Sequence, residues 1–241
     1  GRSISVAAAY DIHIDYLATK FPNLHITPAS LYIKFADPAV EQLLLNSGIG
    51  DGQGISRSAA AGVSNFTNNL FRSNKNITSF NELKYFTNVR SMPSFYGCSN
   101  LESVDLTNIT TCGTETAQNS GIKIVRMPNL THMERGVFRN SAVEEVLDLG
   151  SITAFSDSIY GASQFNTCTS LRKVVIPDSV NDIGKATFNG CRILEDINFP
   201  IGLTRLGSEC FYGCTALSKV GYFPNVTDCE YSVFSGDNTS R

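Results

Sequence analysis

The sequence predicts a solenoid of about six to seven stacked turns of 23 residues, an α/β fold in which each turn adds a short strand to a parallel sheet. Three observations predict it. Aromatic and cysteine residues recur at a fixed interval, apolar residues alternate at the start of each turn, and neither pattern is present before about residue 67. We therefore divide the chain into a small α+β segment, residues 1–66, and a solenoid, residues 67–241.

The period is clearest in the C-terminal half of the chain. Two columns with an interval of 23 residues are formed by Phe165, Phe188, Phe211 and Phe234 and by Cys168, Cys191 and Cys214. Upstream the columns continue with slips of one residue near Ile122 and Phe138 and with an insertion before Phe165. A single turn cannot bury its own apolar stripe, so a repeat of this kind indicates turns that stack like residue above like residue.

Each turn begins with apolar residues in strand alternation. Leu171, Val174 and Ile176 are predicted to face inward, and Pro177 ends the strand because proline donates no ladder hydrogen bond. Successive turns then align these strands in one parallel sheet, about 4.8 Å apart.

The repeat unit also resembles a known family. Residues 171–191 read LRKVVIPDSVNDIGKATFNGC, which closely resembles the BspA-like leucine-rich repeat, Leu-x-x-Val-x-Ile-Pro-x-Ser-Val-x-x-Ile-Gly-x-x-Ala-Phe-x-x-Cys. Thr187 stands where the family has alanine, and the resemblance covers about residues 77–241. It implies a leucine-rich-repeat solenoid in a bacterial cell-surface or secreted protein that works by binding and has no catalytic residues. We therefore expect an extracellular or cell-surface location, with no export signal in this chain.

The cysteines are predicted to be free thiols. Cys98, Cys168, Cys191 and Cys214 occupy one column, so stacked side chains point in parallel, which suits a buried small residue better than a disulfide. No Cys-x-x-Cys pair is present and the three histidines are scattered, so we expect no metal site.

The N-terminal segment has other spacings. An amphipathic helix is predicted by the apolar positions Val6, Tyr10, Ile14, Leu17 and Phe21. A strand is predicted by the alternation of Leu31, Ile33 and Phe35. Asp37 and Pro38 are typical of an N-cap and a first-turn proline, and the helix they begin should stop near Gly48.

The next stretch, GIGDGQGISRSAAAGV, resembles a calcium loop between two helices, of a kind found before the repeats in many BspA-like proteins. If Ile55 is the eighth loop position, the ligand positions fall on Gly48, Gly50, Gly52 and Ala59, and Asp51 lies between them. Calcium needs six to eight oxygen ligands with several carboxylates. We expect a degenerate loop that keeps the helix pair without binding calcium.

Composition excludes several classes of function. The net charge of −3 gives no reason to expect a nucleic-acid partner, and no apolar run approaches the ~20 residues that span a bilayer. No glycine-rich phosphate loop, nucleophile elbow or metal-spaced histidine pair occurs. The sequence therefore predicts a non-enzymatic protein without a cofactor.

The candidate binding surface is the outward face of the strands. By alternation it comprises Ser103, Asp105, Ile124, Arg126, Glu145, Lys173, Val175, Asp196, Asn198 and Lys219. Both charge signs are mixed with apolar residues, which favours a protein or glycan ligand. Two alternatives stay open: a solvated face without a partner, and a structural spacer or fibre component of a cell envelope or phage-type appendage. Only SGDNTSR follows Phe234 as a polar cap, so we expect a monomer or a weak end-to-end dimer.

Overall fold

Short parallel strands line two sides of the stacked turns. We call these two rows of strands the first sheet and the second sheet, although each row is divided once, among the described residues, into separately hydrogen-bonded sheets. The structure, a computed structural model, describes residues 32–67, 69–155, 162–218 and 223–236. The strands of the first side are β1 (Ser79–Phe80), β2 (Ser103–Val104), β4 (Ile124–Arg126), β6 (Glu145–Asp148), β8 (Lys173–Val174) and β10 (Asp196–Ile197). Those of the second side are β3 (Thr111–Cys112), β5 (His132–Met133), β7 (Ala154–Phe155), β9 (Asp182–Ile183), β11 (Arg205–Leu206) and β12 (Asp228–Cys229). The predicted solenoid of parallel strands is therefore confirmed.

The register of the first sheet follows the repeat. Ile124, Glu145, Lys173 and Asp196 are aligned from β4 through β6 and β8 to β10. The inward neighbours of the first three, Val125, Val146 and Val174, are buried, and Ile197 beside Asp196 is half-buried. Leu171, Val174 and Ile176 are at most 1% exposed, as expected. Apolar side chains from Ile33 to Val233 form one continuous core.

The second sheet was not predicted, because the sequence analysis assigned one strand to each turn. Asp182 and Ile183 pair with Arg205 and Leu206 on the next turn, so each regular turn carries two strands. Ile183 and Leu206 are buried, whereas the residues before them, Asp182 and Arg205, are half-buried. Two residues are too few to show an alternation in the sequence, which is why this strand was missed.

The third side of the solenoid is a column of phenylalanine rings. The rings of Phe138, Phe165, Phe188, Phe211 and Phe234 stack at centroid distances of 5.5, 5.6, 5.3 and 5.4 Å. The first four are at most 1% exposed. Offset-stacked rings at this spacing add to the free energy gained from burial alone.

The cysteine column next to these rings consists of free thiols, as predicted. The thiols also form hydrogen bonds that the sequence did not reveal. Cys98, Cys168, Cys191 and Cys214 donate from Sγ to the carbonyl oxygens of Phe71, Phe138, Phe165 and Phe188 at 2.9, 3.0, 3.1 and 3.1 Å. Each thiol thus ties its turn to the backbone of the preceding turn.

Two helices precede the repeats in the described part of the N-terminal segment. Helix α1 (Pro38–Asn46) begins at the N-cap Asp37, whose carboxylate accepts the Ala39 N–H at 2.9 Å, as predicted. Helix α2 (Arg57–Gly62) begins at Ser56. A 3-10 helix, Asn81–Tyr85, follows β1.

The strand predicted at Leu31, Ile33 and Phe35 is wrong as an element. Residues 33–35 have no strand assignment, and a single antiparallel bridge joins Tyr32 to Ser56. Ile33 and Phe35 are nevertheless buried, because they pack into the core at the first turn of the solenoid. Leu31 and the predicted helix from Val6 to Phe21 lie outside the described residues.

Asp37 attaches the N-terminal segment to the first turn. Besides capping α1, it accepts the Thr78 N–H at 2.5 Å, the Thr78 hydroxyl at 2.9 Å and the Ser79 N–H at 3.2 Å. Burial alone would raise the pKa of this carboxyl, but the hydrogen bonds together outweigh burial and lower it. The segment and the solenoid share one core, and the boundary at residue 67 stays a prediction.

Candidate binding surface

The outward row of the first sheet carries the predicted surface residues. Arg126, Val175, Asp196 and Asn198 are exposed, and Ser103, Asp105, Glu145 and Lys173 are half-buried. Ile124 is 51% exposed, a high value for an apolar side chain. Lys219 lies outside the described residues. The structure thus places the described members of this set on one side of the solenoid.

The C-terminal half of this face is occupied by ion pairs between turns. Lys173 Nζ lies 2.7 Å from an Asp196 carboxylate oxygen. Arg172 lies 2.5 Å from Glu145 and 3.7 Å from Glu144. The hydrogen bond to Asp196 and its negative charge raise the pKa of Lys173. A ligand would have to compete with these pairs, which are exposed and individually weak.

Asn198 has a structural role. Its side chain accepts the Ile176 N–H at 2.7 Å and donates to the Ile176 carbonyl at 2.8 Å. The amide thereby replaces a backbone ladder between two turns. The sequence predicted Asn198 as a binding residue because it faces outward, but its amide oxygen and nitrogen already bind the backbone of Ile176.

A groove opens on the N-terminal half of the same face. It has a volume of about 670 Å³ and lies over β1, β2 and β4. The outward residues Ser103, Asp105, Ile124 and Arg126 all line it. The groove brings together four residues of the predicted surface.

The charged groups of the groove differ in what they contact. Lys123 and Glu102 form an ion pair at 3.1 Å. Asp105 accepts the Thr107 N–H at 3.0 Å and has no cationic partner among the described residues. Arg126 makes neither an ion pair nor a side-chain hydrogen bond within the part of the chain that the structure describes. Its guanidinium therefore presents five donors to solvent.

The groove coincides with an interruption of the first sheet. β2 and β4 lie on successive turns but belong to separate sheets, joined there by a backbone hydrogen bond from Lys123 N to Glu102 O at 3.1 Å. The turn between them has Ala117 at the position of the stacked phenylalanines. In the sequence, the only sign of this irregularity is the one-residue slip of the repeat near Ile122. Such a slip does not predict that the sheet is interrupted.

The loop that resembles a calcium site is held by Asp51. Its carboxylate accepts the Gln53 N–H at 2.8 Å and the Tyr32 hydroxyl at 3.0 Å. The loop lies between α1 and α2. Within the described ranges, no three His, Cys, Asp or Glu side chains converge in a way that could hold a metal ion. The expectation that calcium does not bind stays a prediction.

The second sheet carries a charge cluster that sequence analysis missed. Arg205 contacts Asp182 at 2.9 Å, Asp228 at 3.2 Å and Glu230. Glu230 also accepts the Ser208 N–H at 2.9 Å. These contacts join three successive turns, so the cluster has a structural role.

Among the described residues, no helix has the length and apolar character needed to cross a bilayer.

Comparisons with known proteins agree with the observed fold. The family model described as "BspA type Leucine rich repeat region" matches residues 56–145 and 148–240 with six copies, more than half of the chain. No curated protein matches the sequence.

Solved structures of bacterial leucine-rich repeat proteins are similar to this chain. One from Eubacterium ventriosum is 20% identical with a TM-score of 0.56, over 68% of this chain and 44% of that protein. One from Bacteroides ovatus is 19% identical with a TM-score of 0.48, over 58% of this chain and 39% of that protein. The chain thus spans less than half of the length of either, and the first likeness concerns the fold alone.

Proposed function

The chain belongs to the BspA-type leucine-rich repeat family, and we propose that it is a non-enzymatic binding module that recognises a protein or glycan through the outward face of its first sheet. We also propose that it works at the bacterial cell surface or after secretion, which is the location that the resemblance to this family implies.

The observation that carries the proposal is the aligned outward row of the first sheet. Ile124, Glu145, Lys173 and Asp196 repeat on successive strands, while their inward neighbours belong to the core. A ligand that contacts several turns gains from many modest contacts on a surface that is already ordered. Such a surface can bind a ligand through matching shape and charge, without a reactive group.

The chemistry of the thiols supports a non-enzymatic role. Burial raises the pKa of Cys168 to about 11 and that of Cys214 to about 12. Thiols with such pKa values are protonated at pH 7 and are poor nucleophiles. Their hydrogen bonds to phenylalanine carbonyls give them a structural use instead.

The proposal is tested with a glycan and host-protein array probed with the purified chain. For any ligand found, the triple variant Arg126→Glu, Lys173→Glu and Asp196→Lys should abolish binding with little change in thermal stability, because all three side chains are on the surface. As the control, Lys185→Glu reverses an exposed charge outside this face and should leave binding unchanged. Full binding by the triple variant would exclude this face.

A structural role is the second candidate, and the C-terminal turn favours it. Tyr231 is 63% exposed and Phe234 is 44% exposed, although Phe234 stacks on Phe211 on its other side. A large exposed apolar end is typical of a contact surface. Light scattering after size-exclusion chromatography would detect end-to-end dimers, and Phe234→Ser should reduce them if this role is correct.

A further inference from the structure

The groove over β1, β2 and β4 differs from the rest of the first sheet in what it leaves unpaired. Towards the C-terminus, Lys173 and Glu145 bind side chains of neighbouring turns. In the groove, the exposed Arg126 has no partner among the described residues, and Asp105 has one carboxylate oxygen committed to Thr107 N–H. A cation and a hydrogen-bond acceptor are therefore available at one place.

The backbone at Arg126 is locally irregular. The register between β4 and β6 shifts between Val125 and Arg126, so that Arg126 lies opposite Asp148. A β-bulge of this kind re-aims the side chains beside it. The irregularity and the interruption between β2 and β4 occur on the same strand, and both shape the groove.

The lining of the groove indicates the class of ligand. Its described residues include no aromatic ring, so a sugar would find no flat apolar surface on which to lie. Ile124, by contrast, offers an exposed aliphatic side chain next to Arg126, and arginine is enriched in protein interfaces. A peptide supplies a carboxylate for Arg126, an apolar side chain for Ile124 and N–H groups for Asp105.

We propose that this groove binds an extended segment of a protein partner that places an acidic side chain on Arg126 and an apolar side chain on Ile124. The inference rests on the proposed use of the first-sheet face and narrows it to residues 78–126 and to a protein ligand.

The test uses two probes, the acetylated and amidated hexapeptides LELELE and LKLKLK. The full chain carries 13C-labelled isoleucine and valine methyl groups, and NMR reads Ile124 in the groove, Val175 on the C-terminal half of the face and Ile201 elsewhere. We expect LELELE to shift the Ile124 signal saturably and LKLKLK to leave it unchanged. The Ile201 signal, 72% exposed, is the control for non-specific contact.

Charge reversal provides the second arm. Arg126→Glu should weaken LELELE binding by roughly tenfold and produce binding of LKLKLK, because an exposed attractive contact becomes a repulsive one. The matched control Lys185→Glu reverses an exposed cation outside the face of the first sheet and should leave LELELE binding unchanged. Equal melting temperatures would show that each variant is folded.

Three results would overturn the inference. They are an Ile124 signal that moves with neither peptide at millimolar concentration, equal shifts with both peptides, and binding that survives Arg126→Glu. If LELELE shifts Val175 and leaves Ile124 unchanged, the groove is excluded while the wider face remains the proposed binding surface.

Discussion

Between Phe138 and Phe234 the ring of each turn stacks on the next, whereas Ala117 takes that position in the turn before Phe138. The same turn has Ser120 in the cysteine column, and its hydroxyl is buried without a hydrogen-bond partner in the described structure. Both sheets are also divided near this turn. Regular repeats thus give continuous sheets, and the irregular turn gives a groove.

The difference between regular and irregular turns separates the regular part of the solenoid from the candidate binding site. A regular turn aligns its charges with those of its neighbours, so ion pairs form and little is left unpaired. A turn that breaks the register leaves groups such as Arg126 without a partner. Binding sites often lie where a rigid scaffold is locally irregular.

The largest effect is expected from truncating a ring inside the regular stack. Phe188 stacks on Phe165 at 5.6 Å and on Phe211 at 5.3 Å. Phe95 has no stacked ring: it meets Phe71 in a tilted arrangement at 5.5 Å and Phe80 edge-on at 6.5 Å, with Ala117 on its other side. Phe188→Ala should lower the free energy of unfolding by about 4 kcal/mol, and Phe95→Ala by about 1 kcal/mol less. Urea titrations measure both values.

The control for this pair is Lys173→Ala, which should change stability by no more than about 0.5 kcal/mol because the side chain is on the surface. A larger loss for Phe95→Ala than for Phe188→Ala would contradict the view that the regular stack is the more stable region. Phe211→Ala should resemble Phe188→Ala, since Phe211 also has a stacked ring on each side.

The sequence predicted the fold well because burial imposes its period on the chain. Positions such as Val174 and Phe188 face the core in every regular turn, so their columns are visible without a structure. The second sheet was missed because a strand such as Asp182–Ile183 has too few residues to alternate. The groove was missed because it depends on how two turns pair, which the slip near Ile122 signals without describing.

A smaller loss is expected at the junction with the N-terminal segment, which is held by hydrogen bonds to one carboxylate. Asp37→Ala removes the acceptor for Ala39, Thr78 and Ser79 and should lower the free energy of unfolding by about 2–3 kcal/mol at pH 7. Asp51→Ala is the control, because Asp51 is exposed and should matter by less than about 1 kcal/mol. Equal losses in the two variants would contradict the role of Asp37 in attaching the N-terminal segment to the first turn.

The cysteine column gives a finer comparison. Cys191→Ala removes the thiol that donates to Phe165 O at 3.1 Å and should lower the free energy of unfolding by about 1–2 kcal/mol. Cys191→Ser should cost less, because Ser141, the native serine of this column, donates its hydroxyl to Phe138 O of its own turn at 2.6 Å. A hydroxyl at position 191 would have Phe188 O as the corresponding acceptor. If serine proves worse than alanine at this position, the cost of burying the hydroxyl outweighs its hydrogen bond.

The smallest effect concerns two carboxylates at the same repeat position in the two regions. Glu134 follows β5 and accepts the Thr114 N–H at 2.8 Å, and Glu230 follows β12 and accepts the Ser208 N–H at 2.9 Å. The pKa of Glu134 is lowered, first by the Thr114 hydroxyl, and that of Glu230 is lowered by Ser208 and by Arg205.

A carboxyl group whose folded pKa is lowered stabilises the protein above its unfolded pKa of about 4.3, and this contribution is lost as the pH falls through the folded pKa. Urea titrations from pH 7 down to pH 3 should therefore show a smaller loss of the free energy of unfolding in Glu134→Gln and in Glu230→Gln than in the parent chain. The difference should be about 0.5 kcal/mol for each variant. Burial raises the pKa of the nearby Asp182, which opposes the contribution of Glu230, so Asp182→Asn should steepen the fall.

Salt distinguishes the two positions. Glu230 forms an ion pair with Arg205, whereas Glu134 is held mainly by hydrogen bonds from Thr114. Raising the ionic strength to about 1 M shortens the Debye length to about 3 Å, which weakens only in part the attraction between the half-buried Glu230 and Arg205. The Glu230→Gln difference should therefore shrink slightly, while the Glu134→Gln difference persists. Equal salt sensitivity would mean that the two regions do not differ at this position, and that the contrast between them is confined to the ring column and the groove.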